Sequence, residues 1–196
     1  MKHTSFFCFL LLAAVALHSC KDEPETPVVQ KSYATVSFDA LWAGQPFQMQ
    51  QVYTDAFGNR LRADRFMHYV SLLSLVAADG SEVLLKDYML VDFANTNSIT
   101  VEIPAGTYTA VKFGIGVPRD KNKDQDPAQY PSSSPLSVAG SQGMFWLWNT
   151  GYIFAKFEGK ADTTGVEGTE LLIPIAIHAG DDSSYRDYVS QSFSRT

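Results

Sequence analysis

Few side chains in this sequence of 196 residues have the types and spacing that catalysis requires. The histidines and cysteines are His3, His18, His68, His178, Cys8 and Cys20. Only His68 and His178 lie beyond the first twenty residues, and neither stands in a recognisable nucleophilic triad. The sequence contains no Gly-x-Ser-x-Gly elbow, no glycine-rich phosphate loop and no His-Glu-x-x-His motif. We therefore predict a protein that is not an enzyme.

A polar segment offers a second kind of chemistry, because it places oxygen side chains at alternate positions, as calcium loops do. These side chains belong to Asp120, Asn122, Asp124 and Asp126. The segment departs from the EF-hand pattern, since Gln125 stands where the sharp turn needs glycine and Pro131 where the closing glutamate belongs. The departures favour the alternative interpretation, a solvated polar loop.

The N-terminus has the anatomy of a secretory signal followed by a lipid attachment site. A positively charged start precedes the apolar run 6–17, which is about half the length of a membrane-spanning helix. The run ends in Leu17-His-Ser-Cys20, which resembles the bacterial lipobox, where the signal is cut before a cysteine that then carries lipid. We expect residues 1–19 to be the signal peptide and Cys20 to carry an N-terminal lipid.

Residues 20–31 are predicted to form a flexible tether, because the ten residues after Cys20 include two prolines and three acids. The first of them, Lys21-Asp-Glu23, resemble the export signal of surface lipoproteins in the Bacteroidetes, and a plain charged linker is the alternative. The expected location is the bacterial cell envelope. The protein would be an outer-membrane lipoprotein, periplasmic or surface-exposed, and would contact the membrane through its anchor.

Beyond the tether, apolar residues alternate over short segments that end in turn residues, which is typical of strands. Predicted strands cover residues 33–38, 65–76, 83–93, 99–103, 108–117, 143–158 and 171–178. They indicate one all-β domain over residues 32–196, an antiparallel β-sandwich of about eight strands with immunoglobulin-like architecture. Pro174 indicates an edge strand or a bulge, and Gly114 and Gly116 indicate a close backbone approach. The polar connection 118–143 exceeds the usual loop length and is predicted to be mobile or functional.

The charge balance excludes one class of partner. Fifteen Lys and Arg residues against 21 Asp and Glu residues give a net charge of −6, and no run of basic residues occurs. The sequence therefore predicts no nucleic-acid partner.

The run Met144-Phe-Trp-Leu-Trp-Asn-Thr-Gly-Tyr152 follows the polar connection and carries a specific pattern, Met-x-Trp-x-Trp-x-x-Gly-Tyr. It resembles the MbnP family, lipoproteins and periplasmic β-sandwich proteins associated with copper and methanobactin systems. Four other segments match the family pattern in the same order: Arg65-Phe-Met-His-Tyr-Val-Ser71, Ile103-Pro-Ala-Gly-Thr-Tyr108, Phe113-Gly-Ile-Gly-Val117 and His178-Ala-Gly180.

The resemblance implies copper chemistry, which in some members is assisted by a dihaem partner of the cytochrome c peroxidase type that oxidises a tryptophan to kynurenine. His178 matches the family motif by position and is the candidate for the anchoring nitrogen ligand. His68, which matches the family at a strand rather than at a ligand, is the candidate for a second ligand, and Met144 is the candidate for a thioether ligand suited to Cu(I). Trp146 and Trp148 are the candidates for oxidation, and the choice between them stays open. We therefore expect a copper-binding or copper-handling partner protein.

Each of these residues also has an ordinary structural interpretation. His68 shares its strand face with apolar neighbours and would then be a core histidine, while Trp146 and Trp148 would be core aromatics. A different function stays open as well: a surface interaction module that binds glycan through Trp42, Trp146 or Trp148, with no metal. An accessory scaffold with no ligand of its own is a third interpretation.

Overall fold

The computed structural model describes residues 31–123, 125–148 and 151–192. The predicted signal peptide, Cys20 and the tether up to residue 30 lie outside the described residues. Within these ranges about half of the residues belong to strands and almost none to helices, which confirms the predicted all-β class. None of the helices found there has the length and apolar character that crossing a bilayer requires.

The described residues form thirteen strands, and eight of these have four or more residues. The strands are β1 (Ser32–Ser37), β2 (Leu41–Trp42), β3 (Gln45–Pro46), β4 (Val52–Thr54), β5 (Arg60–Ala77), β6 (Glu82–Asp92), β7 (Ser98–Ile103), β8 (Tyr108–Ile115), β9 (Phe145–Trp146), β10 (Gly151–Tyr152), β11 (Ala155–Asp162), β12 (Ile173–Ala179) and β13 (Arg186–Val189). The helices are α1 (Arg119–Asn122) and two single 3-10 turns at Pro127–Gln129 and Asp182–Ser184.

The long strand β5 is the centre of a seven-stranded antiparallel sheet with the order β12-β11-β5-β8-β13, and β4 and β6 also pair with β5. β11 pairs with the first half of β5, and β8 pairs with the second half. The two strands therefore follow one another along β5. β12, which contains Pro174, lies at an edge of the sheet, as the proline predicted.

Each face of the large sheet has its own covering layer, which gives the predicted sandwich. A ribbon of β1 and β7 covers one face, called here the ribbon face. Its apolar cluster contains Val36, Phe38, Ile99, Val70, Leu73, Met89 and Val91. The connection 118–143 and the β9–β10 hairpin pack against the opposite face, called here the connection face. The cluster there contains Met67, Tyr69, Leu90, Val117, Leu136, Met144, Tyr152, Ile153 and Phe154.

One strand prediction is wrong in its extent. The segment 143–158 is not a single strand, because the chain reverses between β9 and β10 and turns again before β11 begins at Ala155. Trp146 ends β9, whereas Trp148 lies beyond the strand and is 81% exposed. The two tryptophans therefore do not share one strand face.

A buried ion pair closes the end of the sheet where β5 begins. Arg60 Nη1 lies 3.2 Å from Asp162 Oδ2, and both side chains are largely buried. The hydroxyl of Thr169 donates to the same carboxylate at 2.6 Å, and the backbone N–H and the hydroxyl of Thr164 donate to it as well. These bonds fix the loop between β11 and β12 to the start of β5.

Acid should therefore weaken the fold through Asp162. The hydrogen bonds from Thr169 and Thr164, together with Arg60, lower the pKa of Asp162 to about 2. Because this folded pKa lies below the unfolded value of about 3.9, the unfolded chain takes up the proton first. The stabilisation is complete above about pH 4 and is lost as the pH falls toward about 2.

Urea unfolding between pH 4 and pH 2 should show a smaller pH dependence of the unfolding free energy in Asp162→Asn than in the wild type. Glu170→Gln, which changes an exposed carboxylate of the same loop, is the control, and an equal pH dependence in all three proteins would contradict the prediction.

Candidate functional site

The motif residues meet where β8 ends and β11 begins. Here the backbone of Tyr69 in β5 binds two segments, the one that follows β8 and the one that precedes β11. Its N–H donates to the carbonyl of Phe154, and its carbonyl accepts from the N–H of Gly116, each at 2.9 Å. Gly116 has φ +107, and a Cβ there would lie 2.5 Å from the Phe154 ring. The expected close approach at this glycine is confirmed, and it allows the two strand ends to meet.

The two most specific parts of the sequence pattern are in contact. A Cβ on Gly180 would lie 2.4 Å from the carbonyl oxygen of Tyr152 and 2.6 Å from the ring of Trp146. The indole of Trp146 therefore packs against the backbone of the His178-Ala-Gly180 segment. Only glycine leaves room for this contact, which explains why the tryptophan run and the His-x-Gly run belong to one site.

His178 lies on β12 beside two charged residues of β11. Its Nε2–H donates to Glu158 Oε1 at 2.8 Å, and its side chain is 28% exposed. Lys156 Nζ lies 3.7 Å from the same carboxylate oxygen and donates to the carbonyl of Gly143 at 2.9 Å. Lys156 thereby connects the carboxylate to the turn that precedes Met144. Lys156 and Glu158 were not among the predicted site residues, although two charged residues at alternate positions of an aromatic segment were a usable signal.

The electrostatics of the cluster keep Glu158 ionised. Partial burial alone would raise the pKa of this carboxyl group, but the hydrogen bond from His178 and the nearby positive charges outweigh burial and lower it. Arg65 Nη1, 3.9 Å from the second oxygen of Glu158, adds to the positive charge. An ionised carboxylate that accepts from one nitrogen of an imidazole fixes the orientation of the ring, and in the neutral ring the other nitrogen is an acceptor.

His68 does not join this cluster. It pairs with Ala155 of β11, whereas His178 pairs with Lys156, and Lys156 in turn pairs with Met67. Paired residues point to the same face of a sheet and adjacent residues to opposite faces, so the two imidazoles lie on opposite faces. The structure therefore does not form the two-histidine site that His68 and His178 were expected to share.

His68 instead has the core environment that was its alternative interpretation. Its ring centroid lies 5.8 Å from that of Phe38 and 5.6 Å from that of Phe93, on the ribbon face. Burial lowers the pKa of the imidazole below its usual value. A neutral aromatic ring packed beneath the ribbon is the result.

The remaining candidate residues differ sharply in access. Met144 is fully buried in the core cluster of the connection face. Trp148 is 81% exposed, with its ring centroid 5.7 Å from that of Trp146. Trp42 is only partly exposed and packs on Tyr53 at 5.2 Å. Solvent and partners therefore reach Trp148, whereas Met144 points into the interior.

The polar segment around Asn122, for which a solvated loop was favoured over a calcium loop, has a structural role in the described residues. Asn122 is fully buried, with its Nδ2 donating to Asp182 and its Oδ1 accepting from the Tyr152 N–H, each at 2.8 Å. Asp126 accepts from the Ala128 N–H and begins a 3-10 turn. These bonds fix the connection 118–143 over the site, and Asp124 lies outside the described residues.

Among the predicted metal ligands, only His178 is placed where it could contact a metal ion. In the part of the chain that the structure describes, no three side chains of His, Cys, Asp or Glu are grouped closely enough to hold an ion. His178 supplies a single oriented imidazole, and Met144 and His68 point elsewhere. The described residues therefore suit an open copper contact through His178 and do not suit a closed site with three or more ligands.

The comparisons with known proteins agree with the sequence pattern. The MbnP family model matches residues 31–195. Among solved structures, MbnP from Methylosinus trichosporium is similar, with a TM-score of 0.57 and 17% sequence identity over 83% of this chain and 68% of that chain. At this identity the likeness shows a common fold. No curated protein matches the chain.

Proposed function

Because the chain belongs to the MbnP family, we propose that it is a lipid-anchored envelope protein that handles copper without catalysing a reaction, with His178 as its own copper ligand. The carrying observation is the pair formed by His178 and Glu158, with the imidazole oriented by a carboxylate and partly open to solvent. Carboxylates orient metal-binding histidines in this way. Trp146 packs beside the same segment, so the family pattern and the imidazole belong to one surface.

An open contact with one imidazole suits transfer to a partner better than storage, because the other ligands must come from elsewhere. Leu147 and Trp148, which are 89% and 81% exposed, follow Trp146, and Trp146 packs against the Gly180 end of the His178 segment. Large exposed apolar side chains are typical of contact surfaces. A dihaem partner of the cytochrome c peroxidase type would therefore meet Trp148 first, with Trp146 directly behind it.

Copper titration tests the role of His178. The test uses residues 20–196, the chain that remains after removal of the predicted signal peptide, with Cys20 replaced by Ala so that no N-terminal thiol binds copper. In that background we expect about one Cu(I) per chain, and His178→Ala should weaken the affinity at least about tenfold, which is a loss of about 1.4 kcal/mol. His68→Ala is the matched control and should leave the affinity unchanged.

Two results would contradict the copper proposal. One is the absence of copper binding in the background protein, and the other is a loss of affinity in His68→Ala equal to that in His178→Ala. Intact mass of protein from its native host, measured alongside, reports whether a tryptophan is oxidised.

The exposure of Trp148 favours a second candidate, a surface interaction module without metal. A single exposed indole can stack on a sugar ring or enter a pocket of a protein partner. Trp42 and Trp146 do not contribute to this alternative, since both pack against other residues. A protein that binds no copper but loses partner binding in Trp148→Ala would belong to this class.

A further inference from the structure

A groove of about 530 Å³ runs along the edge of β6 that faces away from β5. Its floor is formed by β6 residues between Lys86 and Asp92. One wall belongs to the connection 118–143, at Ser133 and Pro135, and the other wall belongs to the start of β7, at Ser98. The groove therefore lies between the two covering layers of the sandwich, with the edge of a strand at its base.

The groove is separate from the candidate site. His68 of β5 pairs with Val91 of β6 and also with Ala155 of β11, so β6 and β11 lie along opposite edges of β5. His178 is on β12, which lies beyond β11. A partner bound in the groove would therefore leave the surface around His178 free.

The backbone of β6 has unused hydrogen-bonding groups in the groove. Phe93, which follows β6, donates its N–H to the carbonyl of Phe66 in β5 at 3.1 Å. Because this direction alternates along an antiparallel strand, the N–H and C=O groups of Tyr88 and Leu90 point toward the free edge. No hydrogen bond from a described residue outside the sheet reaches these four groups.

The next position of the same set confirms the direction and closes one end of the groove. Asp92 donates its N–H to the carbonyl of Thr96 and accepts from the N–H of Thr96, each at 2.8 Å. The chain itself therefore satisfies the backbone of Asp92 but not that of Leu90, which is only 8% exposed. Buried backbone groups are almost always hydrogen-bonded in native proteins, and an extended peptide supplies partners at the required spacing.

The walls favour a single peptide segment over the edge of a folded domain. An edge strand of a sandwich has covering layers on both of its faces, and these layers would collide with Ser133 on one side and Ser98 on the other. A second copy of this chain would bring its own ribbon and connection to the same place. An extended peptide has no such layers and can enter between the walls.

Opposite charges stand at the two ends of the groove floor. Lys86 is exposed and belongs to none of the ion pairs found in the described part of the chain. The carboxylate of Asp92 accepts from the N–H of Ala94 and from the amide of Asn95, which are both neutral groups. Lys86 and Asp92 are six residues apart, or about 20 Å at the rise of a strand, and both side chains point to the connection face.

We propose that this groove binds an extended segment of a partner protein as an additional antiparallel strand beside β6. The segment has a basic residue opposite Asp92 and, six positions later, an acidic residue opposite Lys86. Between them it has apolar residues opposite Leu90 and Tyr88. The proposal depends neither on copper nor on the lipid anchor.

The probe is the fluorescein-labelled peptide Lys-Thr-Val-Thr-Val-Thr-Glu, and fluorescence anisotropy measures its binding to the protein used for the copper titration. We expect a Kd below about 1 mM. In the proposed register the two valines point their N–H groups toward β6, so N-methylation of both should weaken binding at least about tenfold. N-methylation of the first two threonines, whose N–H groups point away from β6, should leave binding unchanged. Exchange of the Lys and the Glu keeps the composition and should weaken binding about fivefold, because both charge pairs become repulsive.

Two variants of the protein locate the bound peptide. Ser133→Trp places a large side chain in the groove and should weaken binding at least about tenfold. Ser132→Trp is the matched control, because Ser132 is also exposed but does not line the groove, and its affinity should equal that of the parent protein. Urea unfolding of both variants shows that each is folded.

Four results would overturn the proposal. They are the absence of binding up to about 1 mM peptide, equal affinity of the two N-methylated peptides, equal affinity of the peptide with Lys and Glu exchanged, and equal affinity of Ser133→Trp and Ser132→Trp. A concentration-dependent dimer that Ser133→Trp abolishes would assign the groove to a second copy and would overturn the proposal as well. Peptide binding that appears only after removal of residues 193–196 would do the same, since it makes the C-terminal segment the occupant.

Discussion

Gly159→Ala is expected to destabilise the fold by about 3 kcal/mol, which is at the upper end of the cost of overpacking a core. A Cβ at this position would lie 2.0 Å from the carbonyl oxygen of Arg62 and 3.1 Å from the Cα of Ala63. Both are backbone atoms of the central strand, so they cannot move aside as a flexible side chain would. Removing this steric clash would require β11 to move away from β5. Because β11 carries Lys156 and Glu158, the movement would also disturb the candidate site.

The reason for this crowding is a bulge in the pairing of the two strands. Glu158 pairs with Arg65, but the next residue, Gly159, pairs with Ala63, so Asp64 has no partner on β11. The extra residue brings the two backbones together at Gly159.

Gly106→Ala is the matched control, because the nearest atoms to a Cβ there are 3.8 Å away in the ring of Tyr108. Its effect should stay within about 0.5 kcal/mol. Urea unfolding of the three proteins measures the difference, and a Gly159→Ala variant as stable as Gly106→Ala would show that the strands tolerate a side chain at the bulge.

The strands were predictable from the sequence because apolar alternation is a local property. The predicted segments 83–93 and 99–103 coincide within one residue with β6 and β7, and the predicted segment 65–76 lies inside the longer β5. The segment 143–158 failed because its aromatic residues serve two purposes. Phe145 and Trp146 pack onto the core from a short hairpin, whereas Leu147 and Trp148 extend from it, and composition alone does not distinguish the two.

The candidate site was predictable only in part, for a similar reason. The run around Trp146 and the His178-Ala-Gly180 segment were identified as one pattern, and the packing of Trp146 on Gly180 shows that they form one surface. The relation between His68 and His178 depends on the register of three strands. A shift of one residue in either pairing would place both on one face, and register across strands far apart in the sequence is not a local property.

Asn122→Ala is expected to cost about 3 kcal/mol, although the residue lies in a segment whose sequence reads as a polar loop. The side chain is fully buried, and its Oδ1 accepts the backbone N–H of Tyr152 at 2.8 Å. Alanine would leave that buried N–H without a partner, which costs about 1–3 kcal/mol, and would add a cavity. Loss of the bond to Asp182, two residues after Gly180, would loosen the same region further.

Asn122→Asp separates the two hydrogen bonds of this side chain. Aspartate has the same shape and can still accept from Tyr152 N–H, but its second oxygen would face the Asp182 carboxylate, which now accepts from Asn122 Nδ2 at 2.8 Å. Two carboxylates at this distance repel, so the variant should be destabilised at pH 7. As the pH falls toward 4, one of the two carboxylates binds a proton in the folded state more readily than in the unfolded chain and can donate to the other, so part of the stability should return.

The measurement is the unfolding free energy at pH 7 and at pH 4, relative to the wild type at the same pH. The loss of stability in Asn122→Asp should be smaller at pH 4 than at pH 7, while the loss in Asn122→Ala stays the same. A deficit in Asn122→Asp that does not change with pH would show that Asp182 is not the partner that matters, and that the bond to Tyr152 alone fixes the connection over the site.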